Sequence, residues 1–424
     1  MRTRSAAGVA VRDITPPIGI ELVGYHRPHP SDSVLDRLMA TAFAFESSDR
    51  AAVLVTVDNA GMLVSHTNEL RQRVADALGL PRSSVMVCFS HTHSGPETSD
   101  GKPEWVKHRE YLMDQAVDAA REAWRARRQC HAGWGVTRAP IGINRRILGP
   151  DGKAVMGANP DGLVDDRIGV FRIEEAEGGR PIGLVVVCAA HGNVLCADST
   201  AISADYIGWA RRLLSEDLGC PVGFVMSSCG DVNARHRGSV SDLDKTARLI
   251  QHSVAPLLRQ VRMEETFAVE SRSSVLRMRL TSLPSEGDAA ELATLVAREW
   301  GVDTSSWLQT VSDLRRKGVT DPEIDLEVQA LRLSEGLLAG VPLEPFAQIA
   351  AELVSMTGST SAFLCGYTNG YLGYLPTREE HRRGGYEVEW MPVVYGQESG
   401  FLMPPVPETA DRILRHILRL SASQ

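Results

Sequence analysis

Short apolar runs alternate with stretches of helical spacing along most of this chain. Residues 6–15 alternate apolar and polar like a strand, and Pro16-Pro17 ends it. Two further strands are predicted over 37–45 and 51–57, the second stopping at Asp58. Residues 66–78 carry helical spacing, with Gly79 as the C-cap. The run 84–89 (Ser-Val-Met-Val-Cys-Phe) is continuous and apolar enough for a buried strand. Residues 105–127 read as a long amphipathic helix, with Tyr111, Ala116, Ala119, Ala120 and Trp124 turned inward.

The same alternation continues. Strands are predicted over 131–136, 166–172 and 181–190, the last two joined by the turn Glu177-Gly178-Gly179. The last is apolar throughout and reads as central in a sheet. Residues 149–162, rich in Gly, Pro, Asp and Asn, read as a long loop. A helix over 203–218 closes on Gly219, a short buried strand follows over 222–226, and another helix covers 241–260.

The character changes after about residue 263. Residues 267–280 alternate like an antiparallel strand, and 289–299 and 321–338 read as charged helices joined by a polar linker. A helix over 345–356, a strand over 362–365 and a helix over 412–420 complete the chain. The predicted class is α/β: mixed β-sheets flanked by helices, with an α-rich insertion in the C-terminal third. The expected division is a core over 1–262, a strand with a helical insertion over 263–340, and a return to the core over 341–424.

Composition narrows the function. The 424 residues carry a net charge of −8 with no basic tract, so nucleic acid is not an expected partner. No run of about 18 apolar residues appears, so no membrane span is predicted. The N-terminal residues lack the apolar stretch of a signal peptide. The seven cysteines are scattered and form no CxxC pair. They read as reduced thiols in a cytoplasmic protein without stable membrane association.

Candidate chemistry sits where the apolar runs stop. The run 84–89 leads into Ser90-His91-Thr92-His93-Ser94-Gly95-Pro96. In an extended chain, residues i and i+2 share a face, so His91 and His93 are expected side by side before Gly-Pro turns the chain away. The run 181–190 ends the same way, at His191-Gly192. A lone histidine at a strand end is most often a hydrogen-bonded surface or core residue. Histidines on rigid strand ends are also what a catalytic metal site needs, and zinc takes N and O ligands while leaving a position to water.

The run Ser-His-Thr-His-Ser-Gly-Pro resembles the neutral/alkaline (non-lysosomal) ceramidases and their shorter bacterial relatives. So do Gly8-Val-Ala-Val-Arg-Asp-Ile-Thr-Pro16 and Ile202-Ser-Ala-Asp-Tyr-Ile-Gly208. The resemblance covers most of residues 6–235 and returns near 341–378. It implies a zinc amidase, with Zn2+ held by two His, one Glu and one Tyr. Carried onto this chain, the ligands are His91, His191, Glu344 and Tyr374, with Tyr371 competing for the last place. Glu344 is expected just before a helix that starts at Pro345. His93 becomes a neighbour that transfers protons. Arg145, after Asn144, is expected to line the site.

One position departs from the family. Its Gly-Asp-x-Ser is here Gly230-Asp231-Val232-Asn233. Asn is not a nucleophile, so an acyl-enzyme on residue 233 is excluded. Asn233 is instead expected to donate to an oxyanion, and Asp231 to orient a catalytic partner. The chain is also shorter than family members that add a C-terminal β-domain. These features predict a zinc-dependent hydrolase that cleaves an N-acyl amide in a small soluble metabolite by zinc-activated water. Two other readings stand beside it: an amide-forming or cyclising enzyme on the same fold, and a non-catalytic relative that binds metal or ligand. The sequence leaves the substrate and the oligomeric state open.

Overall fold

The computed structural model describes residues 5–48 and 50–422. Its centre is an eight-stranded sheet. In spatial order the strands are Val222–Met226, Pro181–Cys188, Arg167–Glu175, Arg128–Arg138, Ser5–Asp13, Met39–Ser47, Arg50–Val57 and Val85–Phe89. Only a short pairing, Ala6 with Gln129 and Ala7 with Arg128, joins the first four strands to the last four. The two halves turn toward one another. A Cβ on Gly183 would lie 2.7 Å from Val9 Cγ2, so that residue must lack a side chain for the halves to close. Phe43, Phe45, Leu54 and Met86 from one half and Phe171, Val185, Val187 and Val225 from the other form one buried layer. Each such side chain contributes roughly 1.5–3 kcal/mol by leaving water.

Helices cover the outer faces. Val64–Leu78 and Pro103–Arg125 pack on one half, Asp205–Leu218 and Val240–Leu258 on the other. The first ends as predicted, on Gly79 in the left-handed conformation with its N–H on Ala75 O. The second opens with Pro at its first position and Glu104 in its first turn. It buries Ala116, Ala119 and Ala120 as expected. Tyr111, however, is 45% exposed, because the inner stripe runs through Leu112 and Met113.

The strands predicted to carry the chemistry are present, and two parallel pairings decide where they end. Val85–Phe89 runs parallel to Arg50–Val57, and Val222–Met226 parallel to Pro181–Cys188. Beyond these strands the two histidine loops meet: Thr92 bridges Gly192, and the His93 N–H donates to Gly192 O at 2.8 Å.

A four-stranded sheet follows, ordered Val269–Arg279, Glu323–Leu333, Gly336–Gly340, Ala362–Cys365. Here the sequence reading needs correction. Residues 321–338 form not a helix but one long strand, a turn through Ser334 at φ +55°, and the start of the next strand. Ile324, Leu326, Val328 and Ala330 alternate with Asp325, Glu327 and Gln329. Eleven-residue antiparallel pairing with Val269–Arg279 overrides the helix-forming composition. The helices of this region are Glu286–Trp300 and Ser305–Arg316, the second falling just after the expected linker. Three smaller corrections apply. Residues 149–162 contain the strand Ala154–Asn159, paired with Gly142–Leu148. Pro345 ends a short strand, Leu343–Pro345, and the helix begins at Ala347. Beyond Thr377, a short helix (Arg378–Arg383), a π-helical turn (Tyr386–Trp390) and the helix Met391–Ser399 form a stretch that the sequence reading left unassigned.

Candidate metal centre

Three segments far apart in sequence meet beyond the ends of the central strands. The first is the loop after Phe89. His91 is not extended, as the strand-end reading assumed, but sits at φ +55°. That is a tolerated conformation for His, and it still brings the His91 and His93 Nε2 atoms to 3.2 Å. The second segment is the loop after Cys188, carrying His191. The third is Leu343–Pro345, paired in parallel with Gly373–Leu375 so that Glu344 stands beside Tyr374. Gly230 lets the loop after Met226 close on this strand: a Cβ there would lie 2.4 Å from Glu344 O, and its N–H donates to Pro345 O.

Nε2 of His191 lies 3.1 Å from Glu344 Oε2, and Nε2 of His91 lies 3.6 Å from the same oxygen. Ligand atoms of His91, His93 and His191 all fall within 4.8 Å of one another. These spacings suit one ion. Ligands about 2.0–2.1 Å from a tetrahedral zinc stand about 3.3 Å apart. The outer nitrogens agree. His91 Nδ1 lies 2.6 Å from Ala60 O, and His191 Nδ1 lies 2.7 Å from Cys229 O. Each ring can therefore donate through Nδ1 and turn its Nε2 lone pair toward a metal. His93 differs: it is half-buried, and its Nδ1 has no partner. Burial pushes the His91 imidazole down to about 4 and lowers His93 and His191 too, which favours the neutral, ligating form. Burial alone would raise Glu344, but the positive charge that His91, His191 and Arg145 can bring against it holds it down at about 2.

Three tyrosines surround Glu344. Tyr367 donates to Oε2 at 2.9 Å and Tyr371 to Oε1 at 2.8 Å. The Tyr374 hydroxyl accepts from Arg145 Nη2 at 2.8 Å instead. Arg145 is almost wholly buried. Its Nη1 lies 3.2 Å from His191 Nε2 and 3.3 Å from Asn233 Oδ1, so with Tyr374 included it touches two of the expected ligands. Glu387 holds it through Nε at 2.7 Å and also pairs with Arg146. Asn233 Oδ1 is further occupied by Asn193 Nδ2 at 2.9 Å, while its own Nδ2 makes no hydrogen bond among the described residues. Asp231 faces away from the histidines. Its carboxylate accepts from Ala347 N–H at 2.8 Å and from Asn144 Nδ2 at 3.1 Å, and burial raises its pKa to about 6. It reaches Arg145 only through its backbone carbonyl, which accepts the Arg145 N–H at 2.8 Å.

No side-chain nucleophile is prepared here. Ser227 and Ser228 both donate to Leu364 O, at 3.1 and 3.0 Å. Burial drives the Cys229 thiol well above its ordinary range, and its Sγ sits 3.3 Å from the Tyr367 hydroxyl. All seven cysteines are unpaired.

A cleft opens onto these groups, lined by His91, His93, Glu344, Tyr371 and Tyr374 at one end and by Glu97, Tyr386, Tyr395 and Glu398 among others. Sequence reasoning missed Tyr367, Tyr386 and Glu387. The last two stand on the π-helical turn, a distortion often found at functional sites. No helix among the described residues is long and apolar enough to cross a membrane.

No family model and no curated protein matches the chain. Solved structures do. Neutral ceramidase from Pseudomonas aeruginosa matches with a TM-score of 0.72 at 16% identity, over 99% of this chain and 74% of that one. A structure described as ceramidase complexed with C2 matches with a TM-score of 0.75 at 18% identity, over 99% and 75%. The chain has the neutral ceramidase fold, the one its Ser-His-Thr-His-Ser-Gly-Pro run resembles.

Proposed function

We propose that the chain is a cytoplasmic zinc-dependent hydrolase that cleaves an N-acyl amide bond in a small soluble metabolite, with water as the nucleophile. The observation that carries this reading is the convergence of His91, His191 and Glu344, with both imidazoles pinned through Nδ1 and their Nε2 atoms 3.1–3.6 Å from one carboxylate oxygen. The ceramidase fold around them supports amide hydrolysis. These three residues and Tyr374 would hold the ion. Zinc bound there supplies Lewis acidity toward a water and an acyl carbonyl.

The chain's own groups have separable tasks in this reading. His93 lines the cleft beside His91 with an unpartnered Nδ1, so it is the group suited to pass a proton to the leaving amine. Asn233 offers a free amide Nδ2 to a developing oxyanion. Arg145, fixed by Glu387, holds the Tyr374 hydroxyl and lies against the ligating edge of His191. Asp231 positions the strand of Asn144 and Arg145 rather than touching the reacting atoms. Seven unpaired thiols agree with a reducing compartment.

The test joins elemental analysis to turnover. Purified protein should carry about one zinc per chain. Chelation should abolish hydrolysis of a panel of N-acyl compounds, and added zinc should restore it. Full activity in metal-free protein would end the proposal.

A further inference from the structure

The cleft carries carboxylates and no lysine or arginine, and two of the carboxylates have no cationic partner among the described residues. Glu97 and Glu398 both line it, and no Lys, Arg or His pairs with either among the described residues. Glu97 accepts the N–H groups of Thr98 and Ser99 through Oε1, at 2.8 and 3.0 Å, which leaves Oε2 unengaged. Glu398 accepts no hydrogen bond among the described residues. Burial, then Glu97 and Asp100, raise its carboxyl above the usual range. The basic groups nearby are already taken. Arg109 pairs with Asp100 at 2.8 Å and donates to Thr98 O, and Lys102 pairs with Glu21. No lysine or arginine lines the cleft.

Aromatic rings line the rest of the same space. Tyr371 and Tyr386 line the cleft together with the two carboxylates, and Tyr386 is held by stacking on Trp300 at 4.3 Å. Tyr395 is 48% exposed and lies close enough to Glu97 to feel its charge. The charge of Glu97 is felt at Glu398, and among the described residues no cation relieves the pair. Tyrosine faces beside carboxylates are a setting that attracts an organic ammonium group, through the ring quadrupole and the charge together. A bare metal ion would gain nothing from the rings.

We infer that this cleft selects substrates bearing a cationic nitrogen beyond the scissile amide, a protonated amine or a quaternary ammonium, held between Glu97, Glu398 and the tyrosines. The inference rests on the amide-hydrolase reading for the reaction but not for the binding. Glu97 and Glu398 set specificity. A neutral N-acyl compound of the same shape leaves both carboxylates unrelieved, and an anionic one is repelled.

The experiment compares N-acetyl-α,ω-diaminoalkanes, from ethyl to hexyl, with the N-alkylacetamides that replace the ammonium by methyl. Binding to the zinc-loaded protein is measured by calorimetry, and hydrolysis by kcat/KM. The best ammonium ligand should bind about tenfold or more tightly than its neutral match, a difference of about 1.4 kcal/mol. In Glu97→Gln/Glu398→Gln protein with unchanged thermal melting, that ratio should fall toward one. If the preference appears in binding and neither series is hydrolysed, the cleft inference stands and the amide-hydrolase reading falls. Equal binding of the two series, or a preference that survives the double substitution, overturns the inference. So does binding of calcium, rather than ammonium, that depends on the two glutamates.

Discussion

The ring of Tyr367 lies nearly flat on that of His91, with centroids 4.0 Å apart and planes at 26°. Its hydroxyl meanwhile donates to Glu344 at 2.9 Å. One side chain thus fixes two of the proposed ligands, the first by contact and the second by hydrogen bond. Tyr367 can do this because its loop is stitched to the His91 strand: Phe89 N–H donates to Tyr367 O, and Asn369 N–H to Val87 O. Tyr367→Phe keeps the stacked ring and loses the bond to Glu344. Its zinc affinity should fall about 10–100-fold, the usual effect of removing a group that orients a ligand. Competition against a chromogenic chelator measures this, and unchanged affinity would remove Tyr367 from the site.

The histidines should separate by their outer nitrogens. His91→Ala and His191→Ala each remove an imidazole pinned to a backbone carbonyl and should yield protein without metal. His93→Ala removes one with no such anchor, so it should retain zinc and lose most turnover. Elemental analysis of the three purified variants decides the matter. Loss of metal in His93→Ala would make His93 a ligand.

Water as nucleophile has an isotopic signature. A single turnover in ¹⁸O-water should put the label in the released carboxylate and none in the protein. Asn233→Ala should lower kcat by about 10²–10³ if its amide steadies an oxyanion. A covalent acyl adduct seen by mass spectrometry would overturn this route and return attention to Ser227, Ser228 and Cys229.

His108, on the helix Pro103–Arg125, gives a pH prediction away from the centre. It is 5% exposed, its Nε2 has no partner, and burial lowers its pKa from 6.5 to about 4. The folded state therefore binds fewer protons than the unfolded state between those values. Stability is unaffected above about pH 6.5 and falls as pH drops toward 4, by up to about 3 kcal/mol from this group. His108→Leu should remove that part of the acid sensitivity, so its urea stability relative to the parent should rise as pH falls from 7 to 4. A constant difference across that range would show that His108 does not titrate as its burial dictates.

Much of the centre was legible because chemistry sat at the ends of uninterrupted apolar runs. Val85–Phe89 and Pro181–Cys188 announce themselves as buried strands, and His91, His93 and His191 follow directly. Glu344 and Tyr374 were reachable only through resemblance, since a carboxylate before a helix and a tyrosine after a glycine carry no signal of their own. Tyr367 and Glu387 had none either. The first depends on a left-handed residue in a loop, φ +51°, and the second acts on Arg145 across 242 positions. The misread span 321–338 shows the opposite failing. Its period-two alternation was visible, but Glu, Leu, Gln and Arg outweighed it until the strand's partner was known.

The order in which the chain is synthesised gives the scattered ligands a further meaning. Residues 91 and 191 leave the ribosome long before 344, and Glu344 is set only when Leu343–Pro345 pairs with Gly373–Leu375, close to the C-terminus. An ion meeting the chain before then would find the imidazoles and no carboxylate. The later pairing would add the carboxylate of Glu344, and in the folded chain all three side chains are buried. In the proposed centre the ligand set is therefore complete only once that pairing has formed, so a chain cut short of Gly373 would keep both histidines and lose the anchored carboxylate.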